Sequence, residues 1–127
     1  MINLVHDVDF LRFLFGDICN VNALGTCYTR QAGRVESSGI LLAFSAGVTA
    51  AVNFTDTVPS LWGFEASTGE NPNIATTGQD MMWITGTKDG ISFPSMTKWD
   101  GVADRFKLPT PHCLPYKVAE PLNEQLD

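Results

Sequence analysis

The chain is 127 residues long and 44% hydrophobic, enough for one domain with a core and too short for two. Eight Lys and Arg against fourteen Asp and Glu leave a formal charge of −6, and the basic residues are scattered, which excludes sequence-independent binding to nucleic acid or to an anionic membrane. No apolar run approaches the roughly 20 residues that span a bilayer, and the N-terminus lacks the basic, apolar, small-residue order of a secretory signal, so a cytoplasmic protein is expected.

Leu4, Val8, Leu11 and Phe15 recur at the 4-3-4 spacing of a helix with one buried stripe, and Gly16 stops it. His6 and Asp9, three apart, are neighbours on another side of that helix, with Asn3 one turn upstream; Asp7 and Arg12 read as a solvated face. After Gly16 the pattern becomes extended. Ile18 to Tyr28 reads as a first strand, followed by a polar, glycine-bearing loop from Thr29 to Ser37. Gly39 to Ser45 and Val48 to Thr55 form a hairpin around Ala46-Gly47, because glycine accepts positive φ without steric cost. In it Ile40, Leu42 and Phe44 join Val48, Ala50, Val52 and Phe54 on an apolar face, while Ala43, Thr49, Ala51 and Asn53 occupy the opposite one. Leu61 to Ser67 is predicted to be a strand, and Thr68-Gly-Glu-Asn-Pro72 opens a loop that runs to about Gly78. Met81 to Thr85 and Gly90 to Phe93 form a second hairpin around Lys88-Asp89-Gly90. A last strand is expected near Val102 to Leu108. From Pro109 onward four prolines keep the chain extended and irregular, and Glu120 to Asp127 reads as the start of a helix that is cut off.

The chemistry-bearing residues are few. Cys19, Cys27 and Cys113 form no C-x-x-C pair and have no histidine at ligand spacing, so they read as plain thiols and no metal site is expected. No Gly-x-Gly-x-x-Gly follows a strand and no Gly-x-Ser-x-Gly elbow exists, which leaves nucleotide binding and serine hydrolysis unsupported. His6 beside Asp9 is the remaining acid/base candidate, since a carboxylate next to an imidazole fixes its tautomer and raises its basicity; the same spacing also suits a plain structural pair. His112, among prolines, reads as an exposed loop residue. Trp62, Phe64 and Glu65 either line a pocket for a hydroxyl-bearing ligand or pack in the core, and Trp83 and Trp99 read as sheet or interface residues.

The run Ile2-Asn-Leu-Val-His6-Asp-Val-Asp9-Phe-Leu-Arg-Phe-Leu-Phe-Gly16 resembles the signature helix in the second domain of the glucose-fructose oxidoreductase, inositol dehydrogenase and rhizopine-catabolism (Gfo/Idh/MocA) family. Phe54-Thr-Asp56, the segment from Trp62 to Pro72, and Ile84-Thr-Gly86-Thr-Lys-Asp-Gly90-Ile-Ser-Phe93 resemble that family's sheet domain in the same order, so the likeness covers nearly the whole chain. It implies an α+β fold in which an N-terminal helix packs on a large open, mostly antiparallel β-sheet of the dihydrodipicolinate-reductase-like kind, with residues 1–127 as a single substrate-binding and oligomerisation domain. It also implies a Rossmann domain and its NAD or NADP outside this chain, none of the cofactor being bound by the chain alone, and a final helix truncated after Pro121.

Carried over residue by residue, the resemblance makes His6 the catalytic group that moves a hydroxyl proton, and Asp9 the group that orients His6 or binds a substrate hydroxyl. Many members place an aspartate four residues before the histidine; here that position is Ile2, and Asn3 beside it offers a hydrogen-bond donor and acceptor but no base. Asn3, Asp9, Trp62 and Glu65 are then the substrate-binding residues. The expected function is the substrate half of an NAD(P)-dependent oxidoreductase acting on a sugar, cyclitol or related polyol, a homo-oligomer through the face bearing Ala43, Thr49 and Ala51. The alternative is a standalone, non-catalytic dimerisation or interaction module of the same fold.

Overall fold

The computed structural model describes residues 2–31, 33–58, 60–101 and 106–116, apart from the side chains of residues 2 and 3. The chain divides into two compact units, Met1–Ser60 and Leu61–Asp127. In the first, helix α1 (Ile2–Phe15) precedes an antiparallel sheet in the order β1 (Ile18–Thr26), β2 (Ser37–Phe44), β3 (Thr49–Thr55). In the second, a short helix α2 (Phe64–Thr68) precedes β4 (Met82–Thr85), β5 (Asp89–Phe93), β6 (Thr97–Asp100) and β7 (Pro111–Cys113), an antiparallel meander. The α+β class is as expected. The single large sheet is not: among the described residues the strands form two small sheets, and no ladder joins them. None of the described helices is long and apolar enough to cross a membrane.

Helix α1 ends where the sequence places a stop. Gly16 sits at φ 83 and its N–H donates to the Arg12 carbonyl at 2.8 Å, a left-handed cap that glycine adopts without Cβ strain. Leu11 is buried, Leu4, Val8 and Phe15 are half-buried, and the Phe15 ring meets Phe44 of β2 edge-on at 5.5 Å between centroids. Phe44 and Leu42 are the most buried apolar residues of the sheet, at 2% and 4% exposure. Their face continues through Ile40 to Ala50, Val52 and Phe54, paired as Leu42 with Ala50 and Ile40 with Val52. The period of two therefore holds as predicted across the hairpin. Its turn spans residues 45–47: Phe44 bonds Val48, and Gly47 takes φ 84.

The opposite face of this sheet is open. The registers place Asn20, Asn22, Leu24 and Thr26 of β1 beside Ala43, Leu41, Gly39 and Ser37 of β2, and these beside Thr49, Ala51, Asn53 and Thr55 of β3. None of these residues is ionisable, and most are exposed, Leu41 at 60% and Leu24 at 85%. A bulge between Ile18 and Asn20 and near-complete exposure explain the weak alternation of β1.

The second unit corrects the sequence reading in several places. Leu61 to Ser67 is not a strand. The run Phe64-Glu-Ala-Ser-Thr68 lies between an extended Gly63 and a left-handed Gly69, whose N–H caps the Glu65 carbonyl at 3.0 Å, so glycine punctuation makes one helical turn. Thr97–Asp100, unassigned in the sequence reading, forms β6 as the hairpin partner of β5. Pro111–Cys113 forms the edge strand β7 where irregular chain was expected, with proline at its first position, where a missing N–H costs no ladder bond. Within the expected strand at 102–108, residues 106 and 107 lie in a turn and a bend, 108 is irregular, and the rest fall outside the described residues, as does the predicted helix at 120–127. The strands of the β4–β5 hairpin are as predicted, but its turn is Thr87-Lys88 and not Lys88-Asp89-Gly90: Thr85 pairs with Gly90, Gly86 N–H donates to the Asp89 carbonyl at 2.8 Å, and Asp89 and Gly90 already belong to β5.

Candidate functional site

His6 and Asp9 lie on consecutive turns of α1, in its second and third turns because the helix begins at Ile2. Both are exposed, and among the described residues no hydrogen bond or ion pair joins them. Asn3 is in the first turn of the same helix, and its side chain lies outside the described atoms. Asp7, read from sequence as solvated, is half-buried. It stands three residues from Leu4 and four from Leu11, so it belongs to the inward stripe. Burial pushes its carboxyl above the ordinary value, against the pull of His6. The helix therefore offers an imidazole at the surface and a partly desolvated carboxyl next to it. Arg12, nearer the C-terminus of α1, pairs with Asp17 at 3.0 Å, both exposed.

Trp62 and Glu65 belong to the second unit. Glu65 is half-buried in α2 and its carboxylate accepts the Asn71 side-chain amide at 3.1 Å; Trp62 is 59% exposed. The loop that follows folds back on α2, with the Thr77 N–H on the Ala66 carbonyl at 2.8 Å and its hydroxyl on the Leu61 carbonyl at 2.8 Å. Phe64 stacks at a tilt on Phe93 of β5, 6.1 Å between centroids. Trp83 and Trp99 both stand on one face of the second sheet, opposite Ser92 and Gly90.

Two groups have no signal in the sequence reading. Glu36 is fully buried at the end of the β1–β2 loop, where both carboxylate oxygens accept the Arg30 backbone N–H at 2.9 Å. The Arg30 guanidinium in turn holds the Asp56 carboxylate at 3.3 Å and also the Asp56 carbonyl. This network ties the loop to the end of β3. In the second sheet, Lys98 pairs with Asp89 and with Asp100, each at 3.1 Å, and the His112 Nε2 lies 2.7 Å from the Asp100 carboxylate. The Gly101 N–H and Lys98 hold the Asp89 carboxyl below its ordinary range, Lys98 does the same to Asp100, and Asp100 and Asp89 raise the Lys98 ammonium. His112 is thus a half-exposed member of an edge-strand pair and not a loop residue.

Among the described residues a shallow depression of about 640 Å³ lies over the open face of the first sheet, around Asn20, Asn22, Leu41 and Thr49, and another of about 290 Å³ lies beside Asp89, Lys98 and Leu114. Neither contains His6, Trp62 or Glu65. Among the described residues no three His, Cys, Asp or Glu side chains gather as metal ligands, and the three cysteines are free and exposed. The strands are antiparallel and α2 is a single turn, so no described strand passes through a glycine-rich turn into a helix, the arrangement that cradles a dinucleotide's phosphates in a Rossmann fold. Comparison with protein-family models, with curated proteins and with solved structures finds no match to the chain.

Proposed function

We propose that this chain is the substrate-binding part of an NAD(P)-dependent oxidoreductase acting on a sugar, cyclitol or related polyol. The observation that supports this reading best is α1 itself: His6 and Asp9 stand exposed on successive turns of a glycine-capped helix that precedes the antiparallel strands. The resemblance places the binding of NAD or NADP outside this chain. What this chain contributes is polar contact. A neutral His6 accepts a substrate hydroxyl proton, and the Asp9 carboxylate accepts a hydrogen bond from a neighbouring hydroxyl. In a protein that unites this chain with a cofactor domain, His6→Ala is expected to lower kcat for polyol oxidation by about 10²–10⁴-fold. Because His6 is exposed, the thermal midpoint should stay within a few degrees. Unchanged turnover would remove His6 from the chemistry.

A second reading, a non-catalytic module that assembles with its own kind, is supported by the open face of the first sheet. Twelve residue positions over three strands carry no ionisable group in a chain of net charge −6. Such a neutral face lets two acidic copies meet without setting like charges directly against each other. Sedimentation at tens of micromolar is the test, and a monomer at that concentration defeats it.

A further inference from the structure

Two hydrogen bonds bracketing the β2–β3 hairpin fix which backbone groups of β3 point outward. Phe44 N–H donates to the Val48 carbonyl at 2.9 Å, and Asp56 N–H donates to the Glu36 carbonyl at 2.9 Å. Bonded and non-bonded pairs alternate along an antiparallel ladder. Ala50, Val52 and Phe54 therefore bond to Leu42, Ile40 and Ser38, and the N–H and C=O groups of Thr49, Ala51, Asn53 and Thr55 face away from β2. Those four residues are exposed, and among the described residues β3 is the last strand of its sheet. It also lacks the devices that blunt an edge: no proline, no charged side chain and no bulge in its register.

We propose that β3 pairs antiparallel with β3 of a second copy of this chain, about a two-fold axis at Val52. The sequence Thr49-Ala-Ala-Val-Asn-Phe-Thr55 is complementary to itself in that register. Val52 opposes Val52, Ala51 opposes Asn53, small Ala50 opposes large Phe54, and Thr49 opposes Thr55. Every outward N–H and C=O of the strand finds a partner, because Thr49 with Thr55 and Ala51 with Asn53 become the hydrogen-bonded pairs. Parity is kept as well, so the apolar face of Ala50, Val52 and Phe54 continues into its mate; a slip by one residue would set it against Thr and Asn. The partner is a second copy because the edge is neutral in a chain of charge −6, and because its pattern is symmetric about its own centre.

The inference rests on the assembly reading, and the experiment separates the two. In a background with the exposed Cys19, Cys27 and Cys113 replaced by Ser, Val52→Cys places two thiols directly opposite each other in a non-hydrogen-bonded pair, the geometry a disulfide accepts. Mild oxidation is expected to yield a linked dimer. Ala51→Pro removes an outward N–H that the chain's own ladder does not use, so the far-UV spectrum should be kept while the dimer dissociation constant rises at least about tenfold. Ala51→Lys, which sets an ammonium on the exposed edge without constraining the backbone, should weaken the dimer in the same direction. A wild-type chain that stays monomeric overturns the edge and the assembly reading together. A wild-type dimer abolished by Leu41→Glu on the open face, yet insensitive to Ala51→Pro and without a Val52→Cys crosslink, keeps self-assembly and overturns the edge.

Discussion

Glu36 shows how much one side chain holds in this molecule. It is a carboxylate with no solvent exposure, and the hydrogen bond that accounts for it comes from the Arg30 backbone of the same loop. A buried acceptor with its donor contributes little net; the donor left behind is what costs. Glu36→Ala strands the Arg30 N–H and opens a void beneath the loop, for a loss of about 1–3 kcal/mol and a lower denaturation midpoint, whereas Glu36→Gln retains an acceptor and should lose less. Denaturant titration of both variants checks this, and equal losses would mean that charge, not the hydrogen bond, holds the loop. Asp7 is the complementary case at the surface of α1. Its place on the stripe follows from arithmetic on Leu4 and Leu11, yet residue type alone argues for solvent, and type was the weaker guide. Glu36 had no such arithmetic, because a loop has no period from which to read an inward side.

At the level of elements, the second sheet is stapled across β5, β6 and β7 by Asp89, Lys98, Asp100 and His112. All are substantially exposed, so each pair is worth little in isolation. Their effect is readable through pH. Asp89 and Asp100 have lowered folded-state pKa values, so the stability they contribute is present above the ordinary carboxylate value of 3.8 and is lost as pH falls through the lowered ones. Lys98 has a raised value, and its contribution is present below the ordinary 10.5 and is lost as pH rises through the raised one. Lys98→Met should therefore flatten the fall of thermal midpoint as pH drops below the ordinary carboxylate value of 3.8. An acid limb as steep as that of the wild type would show that Lys98 holds neither carboxylate in the folded state. Asp7 works the other way, favouring the folded state at low pH, and is untouched by that substitution. The alternating strands of both hairpins and the glycine turn at Gly47 were legible; the turn at Thr87-Lys88 was not, because the Asp89-Gly90 turn signal lies inside β5. The α2 turn was not, because five residues are too few to separate a helical period from an extended one.

For the whole molecule the decisive quantity is charge. Two copies of a chain at −6 repel, and neutral contact surfaces supply no ion pairs to offset that repulsion. Raising ionic strength from ~20 mM to ~200 mM shortens the screening length below about 10 Å and is expected to tighten the dimer, whereas a dimer held by cross-subunit ion pairs would loosen. Sedimentation equilibrium in the two buffers distinguishes these. Magnitude also matters: three strands of about seven residues give a face of roughly 14 by 24 Å, near 340 Å², well under the ~800 Å² per partner of a stable interface. Face stacking alone is therefore weak, and an edge that adds main-chain hydrogen bonds to buried area is the stronger contact.

The sequence by itself determined α1 and its glycine stop, the strands of both hairpins, the turn of the first, the two faces of the β2–β3 pair, and the α+β class, because each follows from local periodicity or, at Gly16 and Gly47, from glycine's access to positive φ. It also carried the motif that places His6 and Asp9 on one helix. Only the tertiary structure decided that the strands form two small sheets, that proline-bearing chain supplies an edge strand, that Glu36 is buried and Asp7 half-buried, and that charges distant in sequence line up across β5 to β7. Those outcomes depend on which strand lies beside which, and pairing between distant segments is settled by contacts that no local pattern encodes.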